Sequence, residues 1–248
     1  KSISADPAFA ADCKAAAEHL AKDIATLGVA TEVRPTAGHP AIVGKTGAGG
    51  RPHVLFYGHY DVQPVDPLDL WHRAPFEPVV TDHADGRKII VARGAEDDKG
   101  QLMTFVEACR AWKAEHGSLP CRITILFEGE EESGSPSLKP FLDANAKELK
   151  ADFALVCDTG MWDRETPAIS TALRGLVGEE VTIKAADRDL HSGEFGGAAA
   201  NPIRILARIL ADIHDETGRV TIPGFYDGVE ETPSQVLKSW EALGETAE

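Results

Sequence analysis

The chain has 248 residues, 43% hydrophobic and 26% charged, which suits a globular protein of one large domain or two small ones. Its 40 acidic residues outnumber 25 basic ones, and the net charge of −15 argues against nucleic acid or any other polyanion as a partner while leaving room for bound cations. No apolar run nears the ~20 residues of a membrane helix, no signal-peptide pattern opens the chain, and the cytoplasm is the expected compartment.

The four cysteines, Cys13, Cys109, Cys121 and Cys157, form no C-x-x-C pair and sit in apolar stretches, as buried free thiols do. In chain order, Phe9, Cys13, Ala16, Leu20, Ile24 and Leu27 recur at helical spacing, so a helix is predicted from Pro7 to Leu27 with Gly28 past its end. Short strands follow at Ala30–Arg34 and Ala41–Lys45, then a turn at Gly47–Gly50. The run from His53 to His59 is apolar and bounded by turn residues, which predicts a buried strand. The segment Val62 to Asp69 is read as a loop pinned by Trp71 and Phe76. Lys88–Arg93 is a further predicted strand. A helix beginning near Gln101 and stopping at Gly117 carries Leu102, Phe105, Val106, Cys109 and Trp112 inward. The strand Arg122–Phe127, a helix over Pro136–Lys147 and the strand Phe153–Cys157 complete an alternation that predicts β-α-β units and a largely parallel sheet.

The pattern changes after Arg174, and a boundary near Thr171–Gly175 is expected. Val177–Ala186 alternates like a half-exposed strand, and Asp187–Gly197 is a polar turn. Asn201-Pro202 caps a helix running to about His214. A strand near Val220–Ile222 and a partly helical acidic tail follow. The fold class is therefore α/β, with residues 1–173 a core and residues 174–248 part of a smaller α+β layer.

His59, Asp97, Glu132 and Asp158 each fall just beyond a separate predicted strand. Ligands of open α/β sheets gather at the carboxyl ends of strands. One imidazole with several carboxylates suits Zn²⁺ or Mn²⁺, and the carboxylate excess suits two ions sharing a bridging oxygen ligand. Glu131 stands beside a proposed ligand and can serve as the base that collects a proton from water. Asp61 can orient the His59 ring through its second nitrogen. Each motif alone has a plainer reading: a hydrogen-bonded loop histidine, a solvated acidic loop, an acidic helix start or a turn. Their shared location favours the metal site.

Gly58-His59-Tyr60-Asp61-Val62-Gln63-Pro64, Arg93-Gly94-Ala95-Glu96-Asp97-Asp98-Lys99-Gly100, Glu128 to Ser135 and Asp187 to Gly193 together resemble the aminoacylase/carboxypeptidase G superfamily of two-metal peptidases, with wording closest to its carnosinase-like dipeptidase branch. The resemblance implies a metallopeptidase core followed by part of a lid and dimerisation domain, and a homodimer. It implies two divalent ions, with Asp97 bridging, His59 and Asp158 on one ion and Glu132 on the other. Glu131 is then the general base and acid for attack by metal-bound hydroxide, with Asp61 supporting His59. The peptide bond after Asp97 is expected to be cis. His191 is expected to be the lid histidine that reaches a partner's substrate.

Members of that superfamily complete the second metal site with a histidine far downstream, and no histidine here stands in a matching context. The chain is thus expected to be the N-terminal portion of a longer enzyme, with hydrolysis by this portion alone poor or absent. The implied substrate is a dipeptide or short peptide. An N-acyl amino acid substrate, or a non-catalytic binding module, are the alternative readings.

Overall fold

The computed structural model describes residues 1–46 and 52–244, so the Gly47–Gly50 turn expected from the sequence lies outside the described residues. They divide into two units, Lys1–Ala172 and Leu173–Glu248.

In the first unit a short 3-10 turn at Pro7–Phe9 leads into helix α1 (Ala10–Ala25), followed by strands β1 (Ala30–Arg34), β2 (Ala41–Lys45) and β3 (His53–His59). Strands β4 (Val79–Asp82) and β5 (Lys88–Val91) precede helix α2 (Lys99–His116), then β6 (Arg122–Glu128), α3 (Leu138–Leu149) and β7 (Phe153–Val156). The main sheet has the order β1-β2-β6-β3-β7. Pairing is antiparallel from β1 through β2 to β6, and parallel where β3 lies between β6 and β7.

Side-chain alternation along these strands creates two apolar faces. Ile42, Phe56, Ile125 and Phe127 pack under α1 and α2, meeting Cys13, Ala17, Leu20, Ile24, Leu102, Val106 and Cys109. Ala41, Val43 and Leu126 face the other way, with Leu55 and Tyr57, against Leu138, Phe141, Leu142 and Leu149 of α3. The step from β3 to β6 and the step from β6 to β7 cross the sheet in opposite directions. Connections of one hand then leave their helices on opposite faces, which is the arrangement found. α2 ends at Gly117, whose φ of +77° is the left-handed conformation that glycine accepts without a Cβ penalty.

Several expectations need correction. β5 does not join the main sheet: it pairs with β4, a strand not anticipated from the sequence, in a separate two-stranded sheet. Only His83–Arg87 separate the two strands, so local antiparallel pairing closes a far shorter loop than insertion into the main sheet. Trp112 is 46% exposed rather than inward, and lies against His116 at 4.5 Å between ring centroids. All four cysteines are free, but only Cys13 and Cys109 are buried.

The second unit contains helices α4 (Ser192–Phe195), α5 (Pro202–Asp212) and α6 (Ser234–Ala242). Asn201 caps α5 by accepting from the backbone N–H groups of Ile203 and Arg204 at 3.0 and 3.1 Å. The expected strands at Val177–Ala186 and Val220–Ile222 do not form among the described residues; a single bridge between His214 and Val220 is all that appears. Alternation alone makes no strand, because the backbone ladder needs a neighbour to pair with. No described residue of this unit is buried.

Candidate metal centre

β3 ends at His59, which pairs in register with Glu128 at the end of β6. The chain continues as Tyr60-Asp61, both fully buried. Tyr60 is tied down through its backbone N–H to the Glu128 carbonyl at 2.9 Å and through its hydroxyl to the Pro40 carbonyl at 2.6 Å. Gly129 leaves room for that ring: a Cβ there would stand 2.3 Å from the Tyr60 hydroxyl oxygen. The tether fixes where Asp61 points. Its Oδ1 lies 3.2 Å from His59 Nδ1, so one nitrogen of the ring is occupied.

The other ring nitrogen is different. His59 Nε2 is buried and has no hydrogen-bond partner. Three carboxylates face it: Asp97 Oδ1 at 3.0 Å, Asp158 Oδ2 at 3.5 Å and Glu131 Oε2 at 4.0 Å. Asp97 is close enough for a hydrogen bond but is not aligned for one. A buried polar atom without a partner is costly, and an imidazole nitrogen directed at several carboxylate oxygens is a donor set that fits a divalent cation. Donor atoms of His59, Glu131 and Asp158 lie within 4.8 Å of one another.

Charge explains why the ring holds a proton without such an ion. Burial works against the imidazolium, but the hydrogen bond and charge of Asp61, with Asp98 and Glu131, hold the His59 pKa up at about 9. Burial likewise works to raise the Asp61 carboxyl, yet His59 and the Glu132 N–H keep it below the ordinary aspartate range. Glu131 is pushed upward by burial, with His59 opposing. Asp98 is raised to about 6 by burial, partly offset by the N–H bond and charge of His59.

The residues singled out from the sequence arrive unequally. His59, Asp97, Glu131 and Asp158 converge. Asp97 does so from the loop after β5 rather than from a main-sheet strand, and the Asp97–Asp98 peptide is cis. Asp61 is adjacent and points at His59. Glu132 stays apart: its carboxylate accepts from the Gln63 amide at 2.5 Å and lies outside the close-set group. His191 belongs to the second unit, where it is exposed and its Nδ1 accepts from the Gly193 N–H at 3.0 Å.

Two contributors were missed. Asp98 is buried and accepts the His59 backbone N–H at 3.0 Å, with Gly58 leaving it space. Glu128 is also buried and accepts from the hydroxyls of Tyr57 and Ser135. Parity could have found Glu128, since it shares its strand face with the inward Leu126. Asp98 left no such signal beside Asp97.

The model of peptidase family M20/M25/M40 matches residues 55–236, a span that takes in every residue of this centre. The chain belongs to peptidase family M20/M25/M40. It aligns over long stretches with dipeptidases. It is 32% identical to the Cys-Gly metallodipeptidase dug1 of Schizosaccharomyces pombe, covering 94% of this chain and 51% of that protein. It is 33% identical to the Beta-Ala-His dipeptidase of Homo sapiens, covering 77% of this chain and 37% of the relative. The crystal structure of the M20 family metallo-carboxypeptidase Sso-CP2 from Sulfolobus solfataricus superposes with a TM-score of 0.70 at 32% identity, over 93% of this chain and 54% of that one. The chain therefore spans about half, or less, of the length of these M20/M25/M40 relatives.

Proposed function

We propose that this chain carries the principal metal-binding layer of a dipeptidase, and that the complete enzyme hydrolyses the peptide bond of short peptides such as Cys-Gly or β-Ala-His. The observation that carries the reading is His59 Nε2, buried, unpartnered and faced by Asp97, Asp158 and Glu131. In the proposed set, His59, Asp158 and Asp97 would hold one ion, and Asp97 with Glu132 would hold a second. Zinc or manganese suits these nitrogen and oxygen donors. When bound, such ions polarise the scissile carbonyl and make water a nucleophile at neutral pH.

The chain's own groups do the rest. Asp61 holds the His59 Nδ1 side, leaving Nε2 to face the carboxylates. Glu131 stands 4.0 Å from that nitrogen with a carboxyl pushed upward by burial. It takes the proton from the attacking water and returns it to the leaving amine. His191, in a lid and dimerisation layer formed by the second unit, is assigned to the substrate of a partner copy in a cytoplasmic homodimer, where its ring donates to the developing oxyanion.

Turnover of a panel of dipeptides and N-acetyl amino acids by the complete, Mn²⁺- or Zn²⁺-loaded enzyme tests the reading. Dipeptides should be preferred. Glu131→Gln should nearly abolish turnover while metal content holds. Loss of metal would make Glu131 a ligand instead, which its place in the close-set group also permits.

A further inference from the structure

The turn after β6 carries both Glu131 and Glu132, and its backbone donors from Glu131 to Ser137 can each be followed to an acceptor. The N–H groups of Glu131 and Glu132 go to the two Asp61 carboxylate oxygens at 3.2 and 3.0 Å. Those of Ser133 and Ser135 go to the Glu130 carbonyl at 3.0 and 2.8 Å, and that of Gly134 to the Glu131 carbonyl at 2.9 Å. Pro136 has none. Ser137 donates to Glu130 Oε2 at 3.1 Å, just before α3 begins. The other Glu130 oxygen accepts the His39 N–H at 3.1 Å. Gly38 makes its seat, since a Cβ there would stand 1.6 Å from Glu130 Oε1.

Glu130 is 6% exposed, so it is not a solvated member of an acidic run. Its carbonyl closes the turn, and its carboxylate fastens the turn to the 36–39 loop on one side and to the start of α3 on the other. We infer that Glu130 is a positioning residue, which with Asp61 sets where Glu131 and Glu132 project. Its effect on metal binding rests on the proposed function; its effect on the turn does not.

The test uses Co²⁺ as the probe ion on the whole chain, with Glu130→Gln and Gly38→Ala. The amide of the first cannot accept from both His39 and Ser137. The second displaces the carboxylate while leaving its charge in place. Each variant should weaken Co²⁺ binding by about 10–100-fold, the range for loss of an outer partner, and shift the visible Co²⁺ spectrum. Amide exchange should quicken from Glu131 to Ser137 ahead of the rest of the first unit. A lower melting temperature with Co²⁺ affinity and spectrum unchanged would make Glu130 a stability anchor only and overturn the inference. If the parent chain binds no Co²⁺, the proposed function fails. Exchange then still decides: quickening confined to the turn supports the positioning role, and unchanged exchange rejects it.

Discussion

Strand β3 begins and ends with a buried histidine, and the two ends behave in opposite ways. His53 is 7% exposed, its Nε2 sits 2.8 Å from the Thr124 hydroxyl, and burial with the nearby Arg122 pushes its pKa below the ordinary value. His59 is fully buried too, yet its pKa is held up at about 9 because Asp61 and neighbouring carboxylates outweigh desolvation. Residue type, strand and burial are shared. What differs is the company, and that separates a neutral structural histidine from a cation-seeking one.

The sharpest way to break this contrast is to remove each ring. His59→Ala should weaken Mn²⁺ binding by more than the ~100-fold expected for losing an outer partner, whereas His53→Ala should leave affinity unchanged, both read by calorimetry. Between the two ends, Phe56 stacks on Phe105 at 3.7 Å and meets Phe127 edge-on at 5.8 Å. Phe56→Ala should cost about 3–5 kcal/mol in denaturant unfolding and disturb both ends together. Asp61→Asn should lower the His59 pKa, seen by NMR titration, and weaken Mn²⁺ binding about 10–100-fold while the His53 resonance holds still.

The smallest effect is on stability against pH, and its sign differs at the two ends. His53 is depressed from 6.5, so the unfolded chain binds the proton more readily and stability is lost as pH falls below 6.5. His59 in the metal-free protein is raised, so its contribution is complete below 6.5 and is lost as pH rises through about 9. Unfolding followed from well below 6.5 up through about 9 should show His53→Gln flattening the acid limb and His59→Gln the alkaline limb. Because an ion needs the neutral ring, Mn²⁺ affinity should climb with pH toward 9 with release of a proton.

Much of the first unit could be read from residue pattern. β3, β6, β7 and the helices were legible because apolar runs and 3.6-residue stripes report burial directly. The β4–β5 hairpin was not, since pairing partner depends on loop closure rather than on the strand's own residues. In the second unit, alternation at Val177–Ala186 suggested a strand that finds no neighbour among the described residues. At the centre, strand-end position exposed His59 and Asp158. The inward duties of Asp98 and Glu130 were hidden, because an acidic residue looks alike in sequence whether it meets water or a buried N–H, whereas strand parity marked Glu128 as inward.

The central claim is that His59 Nε2 faces a metal seat. Anomalous diffraction from crystals of the chain grown with Mn²⁺ addresses it most directly. The account predicts a peak within direct coordination distance of His59 Nε2, with oxygens of Asp158 and Asp97 around it. Manganese bound only elsewhere, or a His59 ring hydrogen-bonded through Nε2 with no peak beside it, would contradict the account.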